Sequence, residues 1–243
     1  MNIALHQPFS VSETSTGVRY SDNIYPNTVS VSNKNRLFIS CGGDSPIEAL
    51  AGQVICDAIY SYFNSFLNQE SDITPSFVEK AIRFAEISLD SFKKENRLEG
   101  LATSMSLLFI ASDKVLLSQI GKSHIYQIRK NNIIYKSIDS SPDKKISGTK
   151  KAIDVNTVQI KDVKAEDDFF IYTGEFANKQ DEEAICSILS QHASAEDKLN
   201  QIKKIYFLKY PTSFSAHLVP IRDIQDKGYY FKKKVNELVC SFV

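Results

Sequence analysis

The side chains able to do chemistry are scattered along this sequence rather than grouped. Four histidines, His6, His124, His192 and His217, stand far apart, with no spacing that would put two of them on one metal ion. His217 falls within an apolar stretch, and both it and His124 are expected to pack or hydrogen-bond rather than act as general acids. Four cysteines, Cys41, Cys56, Cys186 and Cys240, make no C-x-x-C pair and read as reduced, mostly buried thiols of a cytoplasmic protein. Asp22, Asp44 and Glu175 sit near strand ends and turns, where an acid is ordinarily solvated.

Bulk composition excludes some partners. Lys+Arg and Asp+Glu both total 29, so charge alone steers the chain toward neither nucleic acid nor anionic membrane. The apolar run Leu107–Ala111 is far too short to span a bilayer. Met1–His6 lacks the basic and apolar regions of a signal peptide. At 243 residues and 42% hydrophobic, the chain can bury a substantial core.

The elements that must carry these side chains follow from periodicity. Thr28–Ser32 alternates, Asn33–Asn35 turns, and Arg36–Cys41 reads as a buried strand broken by Gly42–Pro46. Two long helices follow, over Ile47–Gln69 and Pro75–Arg97. The first shows an apolar stripe of Ile47, Leu50, Ala51, Val54, Ile55, Ala58, Tyr62 and Phe66. The second shows Phe77, Val78, Ala81, Ile82, Ala85, Leu89 and Phe92, after Thr74 and Pro75 as N-cap and first residue. Strands are expected over Thr103–Ser112 and Val115–Gly121, as a hairpin of His124–Arg129 with Ile133–Ser137, and over Val155–Val163 and Asp168–Thr173. Helices near Asp181–Ser190 and Ala195–Tyr206 come next, the latter with Ser194 and Asp197 spaced as a capping box. Phe214–Ile221 reads as a late strand. This order is not a run of βαβ units and suits an antiparallel α+β domain.

Several stretches, in order, resemble motifs of the metal-dependent serine/threonine protein phosphatases of type 2C. Gly17-Val18-Arg19 resembles the opening Gly-x-Arg, and Leu37–Gly43 the strand that ends in Asp-Gly. Ala102–Leu108 resembles Gly-Thr-Thr with its apolar strand. Gln119-Ile120-Gly121-Lys122-Ser123-His124-Ile125-Tyr126 is similar to Val-Gly-Asp-Ser-Arg-Ile-Tyr. Asp168–Thr173 resembles the strand before Ser-Asp-Gly, and Ser215–Ile221 the last strand, after Asp-Asn.

The resemblance implies a four-layer α/β/β/α sandwich of two antiparallel sheets flanked by helix pairs, over residues 1–225. Residues 226–243 would be a short basic tail, most plainly an added edge strand or helix, with a contact surface at Tyr229–Lys234 as the alternative. N-terminal-nucleophile hydrolases share such layering, but Met1-Asn2 offers no nucleophile.

The resemblance also implies a reaction, and the chain departs from it. Family members hydrolyse phosphomonoesters at two Mg2+ or Mn2+ ions, which need carboxylate oxygens to hold them. Here the acidic pair falls on Asn23 and Ile24. The Asp of Asp-Gly falls on Gly42, leaving the Gly43 carbonyl, and the Asp of Ser-Asp-Gly falls on Gly174. The Asp of Asp-Asn falls on Thr212, and that of Gly-Asp-Ser is Lys122, which repels cations. The flap region between the hairpin and Val155 is also short. The expectation is a catalytically inactive pseudophosphatase without metal, acting as a scaffold for, or regulator of, another protein. Two alternatives remain. One is a divergent phosphatase that holds Mg2+ or Mn2+ with the displaced acids Asp22, Asp44 and Glu175. The other is a phosphate- or phosphopeptide-binding module built on Arg19, with Lys122 as a further candidate. The resemblance implies a phosphate-gripping arginine at Arg19, whose planar fork suits two phosphate oxygens, while a surface or structural salt bridge is at least as good a reading.

Overall fold

The computed structural model describes residues 2–5, 9–13, 24–25, 30–32, 35–42, 45–66, 73–111, 114–130, 132–137, 144–148, 155–174, 179–210 and 214–225. Sixteen elements follow in chain order: β1 (Asn2–Leu5), β2 (Phe9–Glu13), β3 (Ile24–Tyr25), β4 (Ser30–Ser32), β5 (Asn35–Gly42), α1 (Pro46–Phe66), α2 (Pro75–Asn96), β6 (Ser104–Ile110), β7 (Val115–Ile120), β8 (Ser123–Arg129), β9 (Asn132–Lys136), β10 (Thr157–Ile160), β11 (Asp167–Thr173), α3 (Lys179–Leu189), α4 (Ala195–Lys209) and β12 (Phe214–Gln225). The expectations for 226–243 fall outside the described residues.

Two antiparallel sheets result. One runs β10-β7-β6-β5-β3 with β4 beside β5, and the other β1-β12-β11-β8-β9 with β2 beside β12. The central strands are buried on both faces, and alternation divides their side chains among three cores. Leu37, Ile39, Met105, Leu107, Phe109 and Leu116 face the α1–α2 pair. Tyr126, Phe170, Tyr172, Ala216 and Leu218 face α3–α4. Between the sheets lie Phe38, Leu108, Ile110, Leu117, Ile125, Phe169, Ile171 and Val219. This is the α/β/β/α layering expected from the sequence, with Ile39, Leu107 and Ile125 all fully buried.

Three details differ from the sequence reading. The buried face of α1 is Ala51, Gly52, Ile55, Cys56, Ala58, Ile59 and Phe63, while Ile47 and Phe66 are exposed at 51% and 41%. Thr74 holds the N-cap position of α2, but its side chain makes no capping bond. β12 runs four residues beyond Ile221, because β1 pairs with it from Ile221 to Gln225.

Local chemistry sets the other ends. Arg97 closes α2 in the left-handed region (φ 53°), and its N–H bonds the carbonyls of Lys93 and Lys94. Ser194 caps α4 by accepting the Asp197 N–H at 3.0 Å. The Asp197 carboxylate takes the Ser194 hydroxyl at 2.7 Å, a turn-length variant of the capping box. Between β9 and β10, residues 144–148 lie along the helix layer. Ile146 and Thr103 exchange two backbone bonds of 2.9 Å, and Lys145 pairs with Glu48 of α1 at 2.8 Å.

Candidate functional site

The strand registers bring the described motif positions to one end of the sandwich. Gly42, last in β5, pairs with Ser104, first in β6. The β7–β8 turn, Gly121-Lys122, lies at the same end, because Met105 pairs with Ile120 and Ser123 with Thr173. Gly174 follows Thr173, which pairs with Ser215 near the start of β12. Backbone and hydroxyl bonds join these corners. The Lys122 N–H donates to Ser104 Oγ at 3.0 Å, and the Gly174 N–H donates to the Lys122 carbonyl at 3.3 Å. The Thr103 hydroxyl donates to the Gly42 carbonyl at 3.1 Å.

Glycine is needed at two of these corners. Gly121 turns at φ +73°, and a Cβ there would lie 2.5 Å from Ser104 Oγ. Gly174 sits at φ +141°, and a Cβ there would lie 2.8 Å from Tyr206 Oη and 3.1 Å from two ring carbons.

Between the sheets, the apolar core gives way at this end to small hydroxyls. Ser40 donates to Ser215 Oγ at 2.8 Å and lies 3.1 Å from Thr173 Oγ1. Ser123 donates across to the Met105 carbonyl at 2.6 Å, and Ser106 reaches the Tyr172 carbonyl at 3.5 Å. His217 completes the seam. Its Nε2–H donates to the Ile39 carbonyl of the facing sheet at 2.9 Å, which leaves Nδ1 to accept the Ser10 hydroxyl at 2.6 Å. Burial pushes its pKa down to about 4, against a smaller upward effect of the Ile39 bond. His217 is therefore a neutral hydrogen-bonding residue, as expected from its place within a strand.

A dication at this end would need several anionic oxygens. The described residues do not fit one: Gly42 and Gly174 have no side chain, Lys122 is cationic, and the seam hydroxyls are neutral and already bonded to one another or to the backbone. No group of three or more His, Cys, Asp or Glu gathers among the described residues. Ile24 lies in β3, paired with Ser40. Arg19, Asp22, Asn23, Gly43, Asp44, Glu175 and Thr212 lie outside the described residues. His124 stacks on Tyr172 with ring centroids 4.9 Å apart. Cys41 and Cys56 are buried free thiols, the latter with its pKa raised by burial and then by Cys41.

Sequence reasoning missed the residues that organise this end. Ser40, Thr173 and Ser215 had a faint signal, as hydroxyls interrupting otherwise apolar strands. Asp181 and Tyr206 had none. Asp181, fully buried in α3, accepts from Tyr210 Oη at 2.6 Å and from Lys209 Nζ, tying the start of α3 to the end of α4.

No protein-family model matches this sequence, and no curated protein matches it. Solved structures do. PppA, a key regulatory component of T6SS in Pseudomonas aeruginosa, is 12% identical, with 90% of this chain and 99% of that one covered at a TM-score of 0.70. The catalytic domain of the serine/threonine phosphatase PstP, in complex with two manganese ions, is 14% identical, with 91% and 100% covered at 0.70. The serine/threonine phosphatase Stp1 from Staphylococcus aureus is 14% identical, with 91% and 97% covered at 0.67. Likeness at this identity shows the fold.

Proposed function

We propose that this chain, which carries the fold of the type 2C serine/threonine phosphatases, is a catalytically silent pseudophosphatase that works in the cytoplasm by binding another protein. One observation carries the reading. Where the resemblance places metal-holding acids, the described corners are Gly42, Lys122 and Gly174, and the seam behind them is neutral hydroxyls bonded to one another and to the backbone. Phosphomonoester hydrolysis in this fold family needs charge to assemble metal and substrate. A neutral, internally bonded seam supplies none. The formal net charge of zero gives no bulk attraction to nucleic acid or anionic lipid.

The test is turnover. The purified protein, supplied with Mn2+ or Mg2+, is assayed against a phosphoserine peptide and an aryl phosphate. The proposal expects no hydrolysis above background. Metal-dependent hydrolysis that disappears in Asp22→Ala, Asp44→Ala or Glu175→Ala would replace it with a phosphatase built on displaced acids. Saturable phosphate binding without metal, lost in Arg19→Ala, would instead identify a phosphate-binding module.

A further inference from the structure

We infer that Tyr206 of α4 is a plug: it occupies the space into which any side chain at position 174 would have to grow, so that packing locks in the loss of the acid there. The inference rests on the reading of Gly174 as a former acid position, but not on the absence of turnover.

Three features hold the plug. Its phenol leaves no room beside Gly174, since a Cβ would meet Tyr206 Oη at 2.8 Å, closer than real Cβ contacts come. The ring is fully buried in an aromatic group, with centroids 4.8 Å from Phe214 and 5.3 Å from Tyr210. Tyr210 in turn bonds the Tyr206 carbonyl through its N–H at 2.8 Å and the buried Asp181 carboxylate through its hydroxyl at 2.6 Å. Asp181 therefore fastens the last turn of α4, and that turn holds Tyr206 against Gly174, just past the end of β11. An aspartate at 174 would have to displace this ring and also adopt φ +141°, a region that L side chains rarely enter. Two independent barriers thus stand where a simple glycine substitution appears in the sequence.

The two barriers separate in a double-mutant cycle on the full chain, read by urea unfolding. Gly174→Ala alone meets both and should lower the folding equilibrium constant about a hundredfold. In a Tyr206→Leu background, which shortens the side chain while keeping it apolar, the same change meets only the backbone strain and should cost roughly tenfold. A Gly174→Ala chain that does not fold, beside a foldable double variant, would support the plug equally. Equal losses in both backgrounds would overturn it, as would failure of both alanine variants to fold, because the cost would then lie in the backbone alone. Loss of the coupling with turnover still absent would remove the plug and leave the proposed function standing. Strong coupling beside metal-dependent turnover would do the reverse.

Discussion

Acid should loosen this fold through one side chain, His217. It lies fully buried between the sheets, with Nε2 bonded to the Ile39 carbonyl and Nδ1 to Ser10. Burial lowers its pKa from 6.5 to about 4. Above pH 6.5 neither the folded nor the unfolded chain protonates this ring, and the full stability is present. As pH falls from 6.5 toward 4, the unfolded chain binds a proton that the folded chain refuses, so stability is lost across that window. A gap of that size corresponds to about 3 kcal/mol, a large share of a typical domain's stability. The chain has no tryptophan, so the assay is urea unfolding followed by circular dichroism at a series of pH values. His217→Gln keeps an amide donor for the Ile39 carbonyl but cannot titrate, and it should flatten the curve between those two pH values. An unchanged slope in that variant would refute the reasoning and assign acid lability to other groups.

Further outcomes follow from the same packing. Ile39→Ala, Leu107→Ala and Ile125→Ala should each cost about 2–5 kcal/mol by lost burial and cavity formation, measured by urea unfolding, since all three are fully buried. Tyr210→Phe should cost about 1 kcal/mol, because it removes a hydroxyl donor to the buried Asp181 carboxylate. Gly42→Asp or Gly174→Asp alone should restore no metal-dependent turnover, since one carboxylate leaves the neighbouring corners uncharged; hydrolysis in either single variant would contradict this.

The parts of the fold legible in the sequence were those with a strong period or sharp punctuation. The stripe of α2 is the buried face found, from Phe77 to Leu89, because its other side is mostly polar, although Phe84 and Ile87 also stand exposed there. The buried face of α1 is rotated from the stripe its sequence suggests. Ile59 and Phe63 are buried while Ile47 and Phe66 are not, because apolar residues surround most of this helix and periodicity cannot then fix its rotation. The end of β12 was hidden for a different reason. Its last residues pair with β1 at the opposite end of the chain, a partner that no local pattern reveals. The departures at Gly42, Lys122 and Gly174 were visible as residue types, and the strand registers gather those positions at one end. The hydroxyl seam was not visible, since Ser40, Thr173 and Ser215 are far apart in sequence and meet only across two sheets. The contact of Tyr206 with Gly174 likewise depends on how α4 lies over β12 and β2, beside the end of β11.

The account turns on whether this end of the sandwich can hold divalent cations, which isothermal calorimetry of the full chain with Mn2+ reads directly. The neutral seam, the glycine corners and Lys122 predict no saturable heat at concentrations that load a two-metal site, and no stabilisation of the fold by Mn2+. Saturable binding that is lost in Asp22→Ala, Asp44→Ala or Glu175→Ala would contradict the account and show that displaced acids rebuild the site.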